Sequence, residues 1–198
     1  MLESRTLAAA VAGCASIAGA QDFTLSLVPN LDVLDCSGGT FTVSVYGDSS
    51  FGTHILGGSF GFEVGEGSQF ITDISWQAAD WSQFNTDGTY TGTGAYTPVV
   101  FGQLVIPGIF PPAPGSELGS LIGSYQIQYT QGSPLFMELN LTEGSPFTLE
   151  TVDAVSGQTF QDTSGKLTIH NTQVLLCPSP GTVTGLCFAG LMVTRRKR

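Results

Sequence analysis

Gly39-Thr40-Phe41-Thr42-Val43-Ser44-Val45-Tyr46 alternates apolar with hydroxyl-bearing side chains along its length. A period of two places Phe41, Val43 and Val45 on one face of a strand and Thr42 and Ser44 on the other, which predicts a β-strand with one dry and one wet side. The rhythm extends outward in both directions. Upstream, Phe23, Leu25 and Leu27 alternate with Thr24 and Ser26; downstream it returns in Phe60-Gly61-Phe62-Glu63-Val64, Phe70-Ile71-Thr72-Asp73-Ile74-Ser75-Trp76 and Tyr125-Gln126-Ile127-Gln128-Tyr129. Residues 99–106, 135–141, 147–152 and 166–172 supply further strands, for about nine in all. Away from the two ends no window carries a helical i, i+3, i+4 stripe, and 26 glycines argue against long helices. Turn pairs at Gly38-Gly39, Gly47-Asp48, Asp87-Gly88 and Ser164-Gly165 punctuate the runs. The fold class that follows is all-β, a single antiparallel β-sandwich.

Two stretches break the pattern. Residues 81–96 are rich in Gly, Thr and Asn, and residues 107–115 hold Pro107, Pro111, Pro112 and Pro114. Both read as loops at the ends of the sandwich, the second stiffened towards an extended conformation. Neither an internal repeat nor a second domain is visible, so residues 21–176 form one domain large enough for a real core.

The charge is lopsided. Of 16 acidic residues only Glu3 precedes Gln21, while Arg5, Arg195, Arg196, Lys197 and Arg198 account for five of the six basic ones. The body therefore carries 15 acids against Lys166 alone, a net charge near −14. Such a surface repels phosphate backbones, which excludes nucleic acid as a partner. Charged residues are only 11% of the chain, so most of the surface is Ser, Thr, Gln, Asn and Gly.

At the N-terminus, Arg5 precedes an apolar run over residues 7–17 that closes on Ala18-Gly19-Ala20. That is the order of a signal peptide, with cleavage after Ala20 leaving Gln21 as the first mature residue. Val11-Ala12-Gly13-Cys14 offers a second reading, a lipobox with Cys14 lipidated, although its apolar core is short. Removing residues 1–20 takes Cys14 away, and Cys187 lies in an apolar segment near the other end. Cys36 and Cys177 remain as a candidate disulfide in an oxidising compartment, or as two separate thiols.

The last residues form an ordered series: Pro178-Ser179-Pro180-Gly181, an apolar run over residues 182–194, then Arg195-Arg196-Lys197-Arg198. As a helix the 13 apolar residues span about 20 Å at 1.5 Å per residue, short of a hydrocarbon core of about 30 Å. Crossing requires local thinning or help from the flanks and snorkelling arginines. Four consecutive cations hold the terminus in the cytoplasm and the body outside. A marginal span of this kind suits a temporary inner-membrane anchor.

The series resembles the PEP-CTERM class of bacterial sorting signals, in which a short Pro-rich motif, one apolar helix and a basic end are read by a membrane transpeptidase, the exosortase. Here Pro178-Ser179-Pro180-Gly181 stands where Pro-Glu-Pro is usual. The resemblance covers about a tenth of the chain and implies 177–198 as a sorting tail, exosortase as processing partner, and a cell-envelope or biofilm-matrix destination. In the body, residues 39–46 followed by Ile55-Leu56-Gly57-Gly58-Ser59-Phe60-Gly61-Phe62-Glu63-Val64 resemble the second and third strands of cohesin-like, jelly-roll sandwiches. That resemblance implies the fold alone.

Catalytic constellations are weak. Gly57-Gly58-Ser59-Phe60-Gly61 matches a nucleophile elbow, but such an elbow joins strand to helix, and here strand alternation continues through Val64. His54 and His170 carry no mark beyond that of surface imidazoles. Among carboxylates Glu63, Glu66, Asp73, Asp80 and Asp87, spacing alone cannot set the separation that glycoside hydrolysis needs. Asn85-Thr86-Asp87-Gly88-Thr89 offers alternate oxygen ligands to calcium, with a plain hairpin at Asp87-Gly88 as the simpler reading. Otherwise no cofactor is expected. Trp76, Trp81, Phe84, Tyr90 and Tyr96 crowd into 21 residues; Trp76 belongs to the core by alternation, whereas Trp81 and Tyr90, if exposed together, form a sugar platform. The chain thus reads as an exported, non-enzymatic envelope or matrix protein. The alternatives are a module binding exopolysaccharide or protein and, remotely, a secreted hydrolase.

Overall fold

The computed structural model describes residues 21–177. The expected signal peptide with Ala18 and Ala20, and the expected sorting residues from Pro178 to Arg198, lie outside the described residues. Five strands form one sheet: β1 (Gln21–Pro29), β3 (Gly39–Ser49), β5 (Ile71–Ala78), β7 (Leu121–Tyr129) and β11 (Gly165–His170), ordered β11-β1-β3-β7-β5. Opposite lies a seven-stranded sheet of β2 (Val33–Leu34), β4 (His54–Val64), β6 (Ala95–Gly102), β8 (Leu135–Glu143), β9 (Glu150–Val152), β10 (Thr159–Gln161) and β12 (Thr172–Leu176). Its order is β10-β9-β4-β8-β12-β2, with β6 along the other edge of β4. Among the described residues no helix is long and apolar enough to cross a membrane.

The alternation that predicts the strands also sorts the faces. Phe41, Val43 and Val45 on β3 are buried, as are Phe23, Leu25 and Leu27 on β1 and Tyr125, Ile127 and Tyr129 on β7. Boundaries differ where local pattern competes with long-range pairing. Strand β6 ends at Gly102, so residues 103–106 leave the sheet, and only Glu150–Val152 of the run 147–152 is extended.

Two findings correct the antiparallel reading. Residues 166–172 make two strands rather than one: β11 joins the first sheet, the chain turns at Asn171, and β12 joins the second. The turn is fixed by the Asn171 carboxamide oxygen, which accepts the backbone N–H of Leu141 at 2.9 Å. Residues 21–34 change sheets in the same way, and the two segments run side by side, β1 parallel to β11 and β2 parallel to β12. Parallel pairing is forced by geometry, since both segments leave the sandwich at one end. There Leu175 N–H donates to Asp32 O at 2.9 Å and Cys177 N–H to Leu34 O at 3.1 Å. Just beyond, Cys36 and Cys177 are joined as a disulfide with Cα atoms 4.5 Å apart, inside the usual range for such bonds. The opposite end gathers the β3–β4 turn, the loop between β6 and β7, and the β9–β10 turn, tied by Gly119 N–H to Gly47 O (2.8 Å) and Thr53 N–H to Val152 O (2.9 Å).

Between the sheets lies an aromatic core. Phe60 on β4 packs its ring 5.4 Å from Trp76 on β5 and 5.4 Å from Phe101 on β6, and Phe62 stacks on Tyr125 at 4.4 Å. Edge-to-face and offset contacts of this kind add to plain burial. The Tyr125 hydroxyl and the Trp76 indole N–H are buried without a protein hydrogen-bond partner. Burial also pushes the Tyr125 hydroxyl well above the usual tyrosine pKa of 10.0, with Tyr96 adding to the rise. Because the folded value is raised, this group's share of stability is fully present below the unfolded value, about 10, and is lost as pH rises towards the folded one. Tyr125→Phe is therefore expected to leave stability at pH 7 unchanged or to raise it by about 1–3 kcal/mol, and to flatten the alkaline loss. Urea midpoints at neutral and alkaline pH measure both; a destabilisation beyond about 1 kcal/mol at pH 7 contradicts a partnerless hydroxyl.

Candidate functional site

The aromatic platform expected at Trp81 and Tyr90 does not exist as such. Trp81 follows β5 in the loop that returns along β6; it is 4% exposed, packs edge-on to Phe101 at 6.1 Å, and donates its indole N–H to Leu121 O at 2.7 Å. An apolar ring with a satisfied polar tip gains more from the core than from solvent. Tyr90 is half-buried, and its hydroxyl donates to Ile71 O at 3.1 Å and accepts Gly94 N–H at 3.3 Å. Tyr96 is buried too, its hydroxyl donating to Asp87 O at 2.6 Å. Burial raises the Tyr96 pKa, against a lowering contribution from a backbone hydrogen bond at Trp76. These tyrosines cover the outer edge of β5, a device that blunts an otherwise open strand edge. Of the five aromatics from Trp76 to Tyr96, only Phe84 is exposed.

Asn85 and Asp87 do not converge on a cation. The Asn85 carboxamide is taken by Ser82, accepting its hydroxyl at 2.7 Å and donating to its carbonyl at 3.1 Å, and no group of three or more metal-ligating side chains occurs among the described residues. The hairpin expected at Asp87-Gly88 instead turns four residues later, where Thr91 N–H bonds Ala95 O at 3.0 Å. Asp87 and Gly88 sit along its rising arm. Gly88 has φ +66°, and a Cβ there would meet Thr97 O at 2.5 Å, so glycine is required.

Ser59 lies in mid-strand on β4, buried, its hydroxyl donating to Phe147 O at 2.6 Å and accepting Phe147 N–H at 3.2 Å. It ties the β8–β9 loop to the sheet and is not poised as a nucleophile. His54 opens β4, with Nδ1 2.9 Å from the Thr53 hydroxyl, and His170 closes β11. Glu63 is exposed on the seven-stranded sheet and Asp73 on the five-stranded one, so they face away from each other. Asp35 and Asp153 are held below the usual carboxylate range, chiefly by backbone N–H bonds from Ser37 and Ser156 respectively, backed by the same residues' hydroxyls. Both are turn-forming Asp residues.

What does stand out is apolar and at the far end. In the loop after β6, Ile106 and Phe110 form a bridge around Pro107-Gly108, which leaves Ile109 68% and Phe110 50% exposed, beside Val155 of the β9–β10 turn at 88%. Pro107 packs on Gly157, where a Cβ would come within 2.5 Å of its ring, so the two turns form one knob. A groove of about 520 Å³ runs across Gly57, Gly58 and Gly102 between Phe84 and Phe147. The sequence marks the knob by Pro107-Gly108 between apolar residues, inside the stretch 107–115 expected to form a loop at an end of the sandwich.

The described residues have the cohesin-like β-sandwich fold. The seventh ScaB type I cohesin of Pseudobacteroides cellulosolvens superposes with a TM-score of 0.54 at 8% identity, over 79% of this chain and 93% of that one. A cohesin from the OlpA cohesin–dockerin complex of Clostridium thermocellum gives 0.51 at 12% identity, over 78% and 99%. The third ScaC cohesin of Acetivibrio cellulolyticus, solved with the ScaB dockerin, gives 0.50 at 9% identity, over 80% and 99%. No protein-family model matches the chain, and no curated relative matches its sequence.

Proposed function

We propose that this chain is an exported, non-enzymatic module of the cell envelope or extracellular matrix, delivered by its signal peptide and sorted through Pro178, Ser179, Pro180, Gly181 and the basic end by an exosortase-type enzyme. The observation that carries the reading is the Cys36–Cys177 disulfide. A structural disulfide belongs to an oxidising compartment, and this one closes the domain at the residue before the Pro-rich motif. The fold supplies a compact body with its described C-terminal residue secured by the disulfide at one end and loops presented at the other.

Deleting residues 178–198 is expected to abolish C-terminal processing and to shift the protein from the envelope to the released fraction, with the body's thermal transition unchanged. Immunoblots of cell fractions and a melting curve check this; normal processing and surface retention of the deletion would sink the sorting assignment.

A second reading is favoured by the knob at Ile109, Phe110 and Val155: a protein-binding module, as in the cohesins solved with dockerins. Exposed contiguous apolar surface marks contact sites on soluble proteins. Exopolysaccharide is the weaker partner, because Trp81 and Tyr90 are engaged internally.

A further inference from the structure

Along the strip formed by β8, β12 and β2, the outer surface is apolar only nearest the chain's exit. On the outer face of the seven-stranded sheet, register pairs Leu175 of β12 with Val33 of β2 on one side and with Phe136 of β8 on the other. Val33 is 50% and Phe136 53% exposed, and Leu175 is half-buried between them. The next outward row is Glu138 and Gln173, paired in register, followed by Asn140 and Asn171. Along this strip the outward apolar side chains are thus confined to the last row before Cys177, joined by exposed Leu31 on the chain leading into β2.

Four residues, 178–181, separate Cys177 from the apolar run 182–194. Four extended residues span at most about 14 Å at 3.3–3.6 Å each, so a bilayer holding residues 182–194 has this end of the sandwich at its headgroup layer. We propose that the Val33–Leu175–Phe136 row is a membrane-resting foot, seated in the interface of a lipid bilayer while the tail is inserted. The inference rests on the anchor reading of residues 182–194. Asp32 and Asp35 flank the row, and Lys166 lies at the opposite end of the sandwich, paired with Asp22 at the start of β1. The surface it fits is therefore zwitterionic rather than anionic, since anionic lipid would repel those carboxylates. The foot limits tilt of the body on its short tether and holds the Pro-rich motif at a fixed height.

The test uses the chain from Gln21 to Arg198 in phosphatidylcholine vesicles, with a tryptophan placed by Phe136→Trp or, as control on the same face, Gln173→Trp. Trp76 and Trp81 are buried and give a constant background. Flotation with the vesicles is expected for both variants. Brominated phosphatidylcholine is expected to quench the added emission of Phe136→Trp by half or more and to leave that of Gln173→Trp unchanged. Flotation without selective quenching at 136 overturns the foot while leaving the anchor standing. Absence of flotation overturns the anchor and the foot with it. Blue-shifted emission at 136 without lipid also overturns the proposal, because residues 182–194 or a second copy would then cover the row.

Discussion

Phe60→Ala is expected to remove about 3–5 kcal/mol of stability, the usual range for truncating a fully buried Phe. Phe60 is 0% exposed and touches rings from both sheets, Trp76 and Tyr125 on one side and Phe101 on its own. Neighbouring rings cannot follow an alanine inward, because each is held by its own strand. Against a typical total of about 5–15 kcal/mol, this single change brings the domain close to unfolding. In urea, with a slope of about 1–3 kcal/mol per molar, the midpoint falls by roughly 1–5 M. A loss below about 1 kcal/mol would show that the two sheets do not pack through this ring.

The second large effect belongs to the disulfide. Replacing Cys36 and Cys177 together by Ser, or reducing the bond, is expected to cost about 2–5 kcal/mol. The cysteines are 141 residues apart in sequence, so the cross-link restricts nearly the whole domain in the unfolded ensemble. In the folded state the parallel β2–β12 pairing already brings the two positions together. Melting the oxidised protein, the reduced protein and the double Ser variant separates the two contributions. Equal melting temperatures in all three would remove the bond from the stability of the domain and weaken the export assignment.

Period-two alternation locates most long strands because burial on one face is a local property of each strand. Short partners such as β2 and β10 escape detection, since two or three residues carry no period. Trp81 shows the same limit at a site. Its neighbours in the Gly, Thr and Asn-rich loop are polar, yet its indole N–H finds Leu121, forty residues on, and the ring goes inward. The exposed knob at Ile109 and Phe110 errs in the opposite sense: apolar residues held out because Pro107 is braced on Gly157, a contact between distant turns.

By itself the sequence determined the all-β class, the acidic and nearly cation-free body, the order of charge and hydrophobicity at both ends, and the two cysteines left in the body. Those are properties of composition and of neighbours along the chain. Tertiary structure decided which strands pair in parallel, that residues 165–176 pass from one sheet to the other, that Cys36 and Cys177 meet across 141 residues of chain, and which aromatics face solvent. Each of these depends on contacts between residues far apart in sequence, whose free energy exists only once the two sheets close over the core.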